Sequence, residues 1–142
     1  MNGVHVRVLA GGEHYAVPVS AVLEISEYGE VSPVPGAPPS TLGVRNLRGQ
    51  VIPVIDLAMV LDLRSSTAYE RIVVAEDDGR LAGFAVEGVV DVGDVGDPTE
   101  ETESPYLTGA LLIDGALVGV VAVGALFAAL APTDDRAEAV SR

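Results

Sequence analysis

A motif written twice sets the tightest limit on how this chain can fold. Gly43-Val-Arg-Asn-Leu-Arg-Gly49-Gln-Val-Ile-Pro-Val-Ile-Asp-Leu57 and Gly109-Ala-Leu-Leu-Ile-Asp-Gly115-Ala-Leu-Val-Gly-Val-Val-Ala-Val123 share one plan. Each reads Gly, five residues, Gly, one residue, then an apolar run, and the two lie 66 residues apart. Upstream, Tyr15-Ala-Val17 matches Phe84-Ala-Val86 at an offset of 69, and Val22-Leu-Glu-Ile25 matches Val89-Val-Asp-Val92 at an offset of 67. Matches in the same order with slowly drifting offsets are what duplication followed by small deletions leaves. A chain of 142 residues then holds two copies of a unit of about 65 residues.

Within each copy the pattern is that of short strands. Val4, Val6 and Val8 alternate with His5 and Arg7, the period of a half-buried strand. Gly11-Gly12 turns the chain into His14 to Val19, a hairpin signal. In the second copy Arg71 to Ala75, the turn Asp77-Asp78-Gly79 and Leu81 to Val86 repeat it. Asp114-Gly115 reads as a further tight turn. Pro18 and Pro53 inside strand patterns imply sheet edges or bulges, because proline cannot donate to a ladder. Ser32 to Ser40, with four prolines, is a loop, and Asp97 to Glu103 is its acidic counterpart. Val22 to Ile25 and Ala58 to Leu61 fit either a helical turn or a strand. Val123 to Leu130 suits a closing helix with Leu126, Phe127 and Leu130 on one face. Evenly spaced strands with Gly-rich turns argue for barrels or a sandwich. With the repeat, the expectation is an all-β chain of two small barrels packed side by side with a short C-terminal helix. The first barrel is expected mainly over 4–65, the second mainly over 66–131, and 132–142 as a flexible polar tail.

Charge and composition narrow the function classes. Acids outnumber bases 21 to 8, giving a formal charge of −13, and every base is an arginine. Such a surface repels nucleic acid phosphates and anionic lipid headgroups. With no lysine there is no Schiff-base chemistry, and with no cysteine there is no thiolate nucleophile, disulfide or thiolate-ligated metal. Residues 1–9 do not read as a secretory signal. Gly115 to Ala131 is uncharged, but at 17 residues with three glycines it sits at the short limit for spanning a bilayer. A buried strand and a helix are the favoured reading, and a membrane-attached protein using 106–131 is the competing one.

Catalytic constellations are missing from the pattern. His5 and His14 are the two histidines, and both are expected at solvated surface positions. No Ser stands in a G-x-S-x-G elbow. Gly88, Gly93 and Gly96 have the wrong spacing for a dinucleotide loop. Asp91, Asp94 and Asp97 recur every third residue, whereas a calcium loop needs every second, and Glu100, Glu101 and Glu103 read as loop solvation. No enzyme, cofactor or metal is expected. An interaction protein is.

The segment from Gly43 to Leu57 resembles the signature of the CheW family of chemotaxis coupling proteins, G-(V/I)-x-N-x-R-G-x-(V/I)-x-P-V-(V/I)-D-L. Tyr15-Ala-Val-Pro-Val19 with Val22-x-Glu24-Ile25 is similar to that family's Y-x-(I/V)-P-(V/I)-x-x-V-x-E-I opening. Pro35 suits its V-P loop, Val86-x-x-Val89 its G-x-x-V-D-x-V piece, and Gly109 its late G-x-x. The resemblance covers roughly 4–130, so a single CheW-like domain over 4–131. It implies two five-stranded Src-homology-type barrels and a non-enzymatic cytoplasmic adaptor. Such an adaptor is recruited to membrane receptor arrays, where it joins the cytoplasmic tip of methyl-accepting chemoreceptors to the regulatory domain of the histidine kinase CheA. A diverged adaptor for a non-chemotactic kinase pathway is the alternative within that family.

The resemblance also implies partner-binding residues. Glu24 and Arg48 are the charged pair of the first barrel, expected to bridge across neighbouring strands. Val22, Val86 and Val89 would line the groove for the receptor tip, or else pack in the core. Gly43 and Gly49 are expected in tight turns, and Asp56 as a cap. The sequence departs from the family at Glu87, where Asp is usual, and at Ala122, which falls opposite Asp56 and removes a second cap. An apolar replacement there leaves no unpaired buried charge.

Overall fold

The computed structural model describes residues 3–61, 63 and 68–130. The expected tail over 132–142 and the junction at 65 and 66 lie outside these residues. Ten strands are described: β1 (Val4–Ala10), β2 (Glu13–Pro18), β3 (Val22–Glu27), β4 (Thr41–Leu47), β5 (Gln50–Asp56), β6 (Arg71–Asp77), β7 (Arg80–Val86), β8 (Gly88–Asp94), β9 (Leu107–Ile113) and β10 (Ala116–Val121). A helical turn α1 (Leu57–Val60) follows β5, and helix α2 (Val123–Ala128) follows β10. The order β1 to α1 is repeated as β6 to α2, so the duplication read from the sequence is present element by element. Its offset is steadier than the sequence suggested. Val17 faces Val6 across the first hairpin and Phe84 faces Val73 across the equivalent one, so Val17 corresponds to Phe84 and the upstream offset is 67, not 69.

The two sheets do not divide the chain at its middle. One has the order β8-β1-β2-β10-β9 and the other β3-β6-β7-β5-β4. Each takes its first hairpin from one repeat and its other three strands from the opposite repeat. Strands over 4–65 and 66–131 therefore do not form one barrel each: β1 and β2 belong with the second-repeat strands, and β6 and β7 with the first. The barrel holding β3 to β5 is the first barrel, and that holding β8 to β10 the second. The reason is packing. Each hairpin has two faces to bury, one in a barrel interior and one in the core between barrels, and exchange buries both.

Three apolar clusters follow from this. The largest lies between the barrels and takes Val6, Val8, Tyr15 and Val17 from one hairpin and Val73, Phe84 and Val86 from the other. Leu126 and Phe127 of α2 join it, and the Phe127 ring meets Phe84 edge-on at 5.7 Å. Ile52, Val54, Ile72, Val74 and Ala85 fill the first barrel, and Ala16, Leu111, Val118 and Val120 fill the second.

All four two-residue hairpins turn through Gly11-Gly12, Arg48-Gly49, Asp78-Gly79 and Asp114-Gly115, with φ positive at both residues. That is the turn whose twist matches paired strands, and it fixes each register. Gly49 is therefore a turn glycine as expected, but Gly43 lies within β4, beside the bridge Ser32↔Val44. A Cβ on Gly43 would overlap the Ser32 carbonyl oxygen, so the residue is small to let a loop cross the strand. The two prolines also depart from the expectation of edges or bulges, since neither lies on an edge strand or at a register shift. The parallel ladders β10–β2 and β5–β7 are three residues long, ending at Ala16 and starting at Val54. Pro18 and Pro53 stand just outside them, where no ladder N–H is needed.

Asp56 is fully buried, and its Oδ1 accepts from the N–H of Ala58 at 3.0 Å and of Met59 at 3.4 Å. The Tyr69 hydroxyl donates to its Oδ2 at 2.7 Å. Ala122 heads α2 without any side-chain cap. Its N–H nonetheless donates to Tyr106 O at 2.7 Å, as that of Asp56 donates to Ser40 O at 2.8 Å. Asp56→Ala should lower the unfolding free energy by about 2 kcal/mol in urea denaturation, because it strands two helix N–H groups and a tyrosine hydroxyl. Tyr69→Phe in the same background should add little, since its partner is already gone.

Candidate functional site: charged seams and barrel ends

A five-stranded sheet rolled into a barrel must bring its edge strands together, and in the first barrel arginines do this. Its edges are β3 and β4. Arg45 on β4 donates through Nη1 to Ser26 Oγ and to Glu27 O, both at 3.1 Å, and through Nε to Glu30 O at 3.3 Å. Arg48, in the β4–β5 turn, places Nη2 2.7 Å from Glu24 Oε1 on β3. The pair read from the sequence is therefore in contact, but across the barrel's seam and not between neighbouring strands of the sheet order. The Arg48 side chain is 78% exposed and Glu24 24%. This is a surface ion pair available to a partner.

In the second barrel Asp91 occupies the place of Glu24, and Asp114 that of Arg48. Two carboxylates cannot bridge the seam. Asp91 instead pairs with Arg7, which lies opposite it on β1, at 3.2 Å. Arg7 stands where the first barrel has Val74, and its side chain is 10% exposed, with Nε lacking a hydrogen-bond partner. Leu111 takes the place of Arg45 and packs into the second barrel's interior. The first barrel's edges are thus joined by arginine contacts, whereas in the second the edge strand β8 takes its arginine from neighbouring β1 and a leucine replaces Arg45.

The histidines depart from the sequence expectation. His5 is 7% exposed, its Nδ1 2.8 Å from Gly3 O, and His14 is half-buried with its Nδ1 enclosed. The alternation along β1 was read correctly, since His5 does face away from the valines. The far side of the strand, however, is the inside of a barrel and not solvent.

Val86 is fully buried in the central cluster and has no surface to offer a partner. Val22 and Val89, equivalent positions on β3 and β8, are half-buried against the same cluster. Glu87 accepts the Gly12 N–H at 3.1 Å, tying the first hairpin's turn to the start of β8. Arg45 and Arg7 were not singled out from sequence. Their side chains act through contacts that no local motif signals. Among the described residues no helix is long and apolar enough to cross a membrane, and Tyr106 to Leu130 is a turn, two strands and α2. That structure displaces the membrane-span reading of the segment.

Truncating Arg45 to Ala should lower stability by about 1.5 kcal/mol in guanidinium denaturation, through loss of three charge-assisted hydrogen bonds. Arg48→Ala should lower it by no more than about 0.5 kcal/mol. Equal losses would show that the exposed pair, too, is structural.

Known proteins match this chain closely. The model of the CheW-like domain fits residues 5–131. A Rhizobium meliloti protein named Chemotaxis protein CheW is 32% identical over 136 residues, covering 89% of this chain and 85% of that one. A probable chemotaxis protein CheW of Rhizobium etli is 34% identical, covering 82% of each. Among solved structures, the scaffolding protein TtCheW of Thermoanaerobacter tengcongensis superposes with a TM-score of 0.78 at 25% identity, over 89% of this chain and 88% of that one. With the duplicated barrels, the Gly43-to-Leu57 signature and these matches together, the chain belongs to the CheW-like domain family.

Proposed function

We propose that this chain is a non-catalytic scaffold of bacterial chemotaxis, joining the cytoplasmic tip of transmembrane chemoreceptors to the regulatory domain of the histidine kinase CheA. The interlocked double barrel carries this reading. It fits the CheW family over nearly its whole length and offers two differently finished barrels on one rigid body. A coupling protein requires surfaces held at a fixed separation, and a shared central core supplies that. The chain works in the cytoplasm and reaches the membrane through its receptors.

Glu24, Arg48, Val22 and Val89 are the partner-facing residues of this proposal. Arg48 is exposed, set in a two-residue turn and paired with Glu24, and the pair points its guanidinium along the seam before any partner arrives. Val86 supports that surface from beneath.

Co-sedimentation with receptor-bearing membranes and CheA tests the proposal. The wild-type chain should enter the pellet at micromolar concentration and only when receptor is present. Its failure to do so would count against the scaffold reading. Arg48→Glu sets a carboxylate against Glu24 and should weaken co-sedimentation about tenfold or more, with thermal unfolding shifted by no more than a few degrees. Val86→Ala should act in the opposite sense, lowering the melting temperature before it alters association.

A further inference from the structure

The edge strands β3 and β8, each of which follows the first hairpin of its repeat, are bulged at the same place. On β8, Val89 faces Val8 and Asp91 faces Arg7, so Val90 has no partner on β1. On β3, Val22 faces Ala75 and Glu24 faces Val74, so Leu23 has none on β6. An extra residue turns its side chain out of the strand's alternation. Leu23 is 53% exposed and Val90 40%, each beside a valine, Val22 or Val89, that packs half-buried on the central cluster. Both repeats thus show an apolar side chain to solvent next to the residues assigned above to the receptor tip.

What holds the extra residue in place differs between the repeats. A bulge can move along a strand by one step. If the bulge on β8 moved on to Asp91, Val90 would turn into the second barrel opposite residue 7, and the carboxylate would turn to water. An apolar side chain at 7 favours that step, because a valine replaces a carboxylate at a partly enclosed position. Arg7 opposes it. Its side chain is 10% exposed and its Nη2 lies 3.2 Å from Asp91 Oδ2, so moving Asp91 away leaves the guanidinium enclosed without a counter-charge. In the first barrel Val74 stands in the place of Arg7, and the acid is held from the other side, by Arg48 at 2.7 Å from Glu24. Asp114 occupies that turn position in the second barrel, with the same φ of 51°. Arg7 therefore does from inside the barrel what Arg48 does from across the seam.

We propose that Val90 belongs to the receptor-facing surface with Val89, and that Arg7 is the positioning residue that keeps it there by pinning the bulge through Asp91. The inference rests on the scaffold reading and extends its site by one exposed contact and one enclosed residue. Arg7 itself touches no partner.

The test uses the full chain with labelled valine methyl groups, a soluble nitroxide, and co-sedimentation with receptor-bearing membranes. In the wild type the nitroxide should broaden the Val90 methyl signals and spare those of Val8 and Val86, which are fully buried. Arg7→Met should leave the melting temperature within a few degrees of wild type, since an apolar replacement of a buried charge is often neutral. It should protect the Val90 methyls from the nitroxide and weaken co-sedimentation about threefold or more, as loss of one apolar contact implies. Val90→Ser, at an exposed site, should weaken co-sedimentation to a similar extent. Arg7→Val with Asp91→Glu and Asp114→Arg rebuilds the tether of the first barrel and should restore both the exposure of Val90 and co-sedimentation. Rescue by an arginine from another element separates pinning of the bulge from mere filling of the barrel. Should Arg7→Met fail to fold, Val90→Ser and the triple variant still decide the matter. Val90 methyls as exposed in Arg7→Met as in wild type, a Val90→Ser chain that co-sediments like wild type, or a triple variant without rescue would overturn the proposal. A wild-type chain that does not co-sediment would remove the scaffold reading and the contact at Val90 with it, while the nitroxide measurement still decides whether Arg7 pins the bulge.

Discussion

Two parallel ladders of three residues each, β10 with β2 and β5 with β7, bind the halves of this molecule to one another. With the antiparallel pairs β1–β8 and β3–β6, they make every sheet a composite of both repeats. Neither repeat can close a barrel from its own strands in this arrangement. Removing one would open both sheets and expose the cluster that includes Val8, Tyr15, Val73 and Phe84. The chain is therefore one cooperative unit, although its sequence is that of two. That is the constraint from which a fixed distance between surfaces follows.

Within this frame the repeats have diverged in what closes them. The acid on the third strand of each repeat is kept, as Glu24 and Asp91, but its arginine comes from different places. In the first barrel it comes from a hairpin turn at the surface, and in the second from a neighbouring strand inside. An exposed pair contributes little to stability and is free to be spent on recognition. A pair with an arginine only 10% exposed costs desolvation that its partner must offset. The first seam can therefore tolerate change at Arg48, whereas the second cannot lose Asp91 without leaving Arg7 charged and enclosed. The buried cap is likewise kept on one side, in Asp56 with Tyr69, and dropped on the other, where Ala122 gives α2 no side-chain cap but leaves no unpaired buried charge.

Much of this was legible in the residues. Paired glycines and Asp-Gly steps marked three of the four hairpins, because φ above zero at two successive positions restricts the choice of residue. The duplication was legible because both copies keep the glycine that lets a loop pass over a strand, Gly43 and Gly109. Strand exchange was not legible: alternation tells which face of β1 is apolar, not which repeat supplies its neighbour. The same gap misplaced His5 and His14. A strand in a barrel that packs on a second barrel has no solvent face, so a polar residue between valines can be as enclosed as they are. Glu24 and Arg48 were found as a pair through their family resemblance, while Arg45 was missed because two of its three partners are backbone carbonyls, which leave no trace in sequence.

Curled sheets that stop at five strands leave edges, and edges invite pairing with other chains. Here β3, β4, β8 and β9 are the outer strands. The loop residues Ser32 and Glu100 bridge to Val44 and Ala110, covering part of β4 and β9. β3 carries Glu24 and Glu27, and β8 carries Asp91 and Asp94. The charge of −13 adds repulsion between copies at every orientation. Leu112 and Leu117, paired across β9 and β10, are more than half exposed, as are Leu23 on β3, Val51 on β5 and Val92 on β8. Acidic edges oppose strand pairing between copies without occupying the rest of the surface. The charge that opposes contact between copies also sets the sign of what can approach: a partner that meets this surface closely gains by bringing arginine or lysine with it.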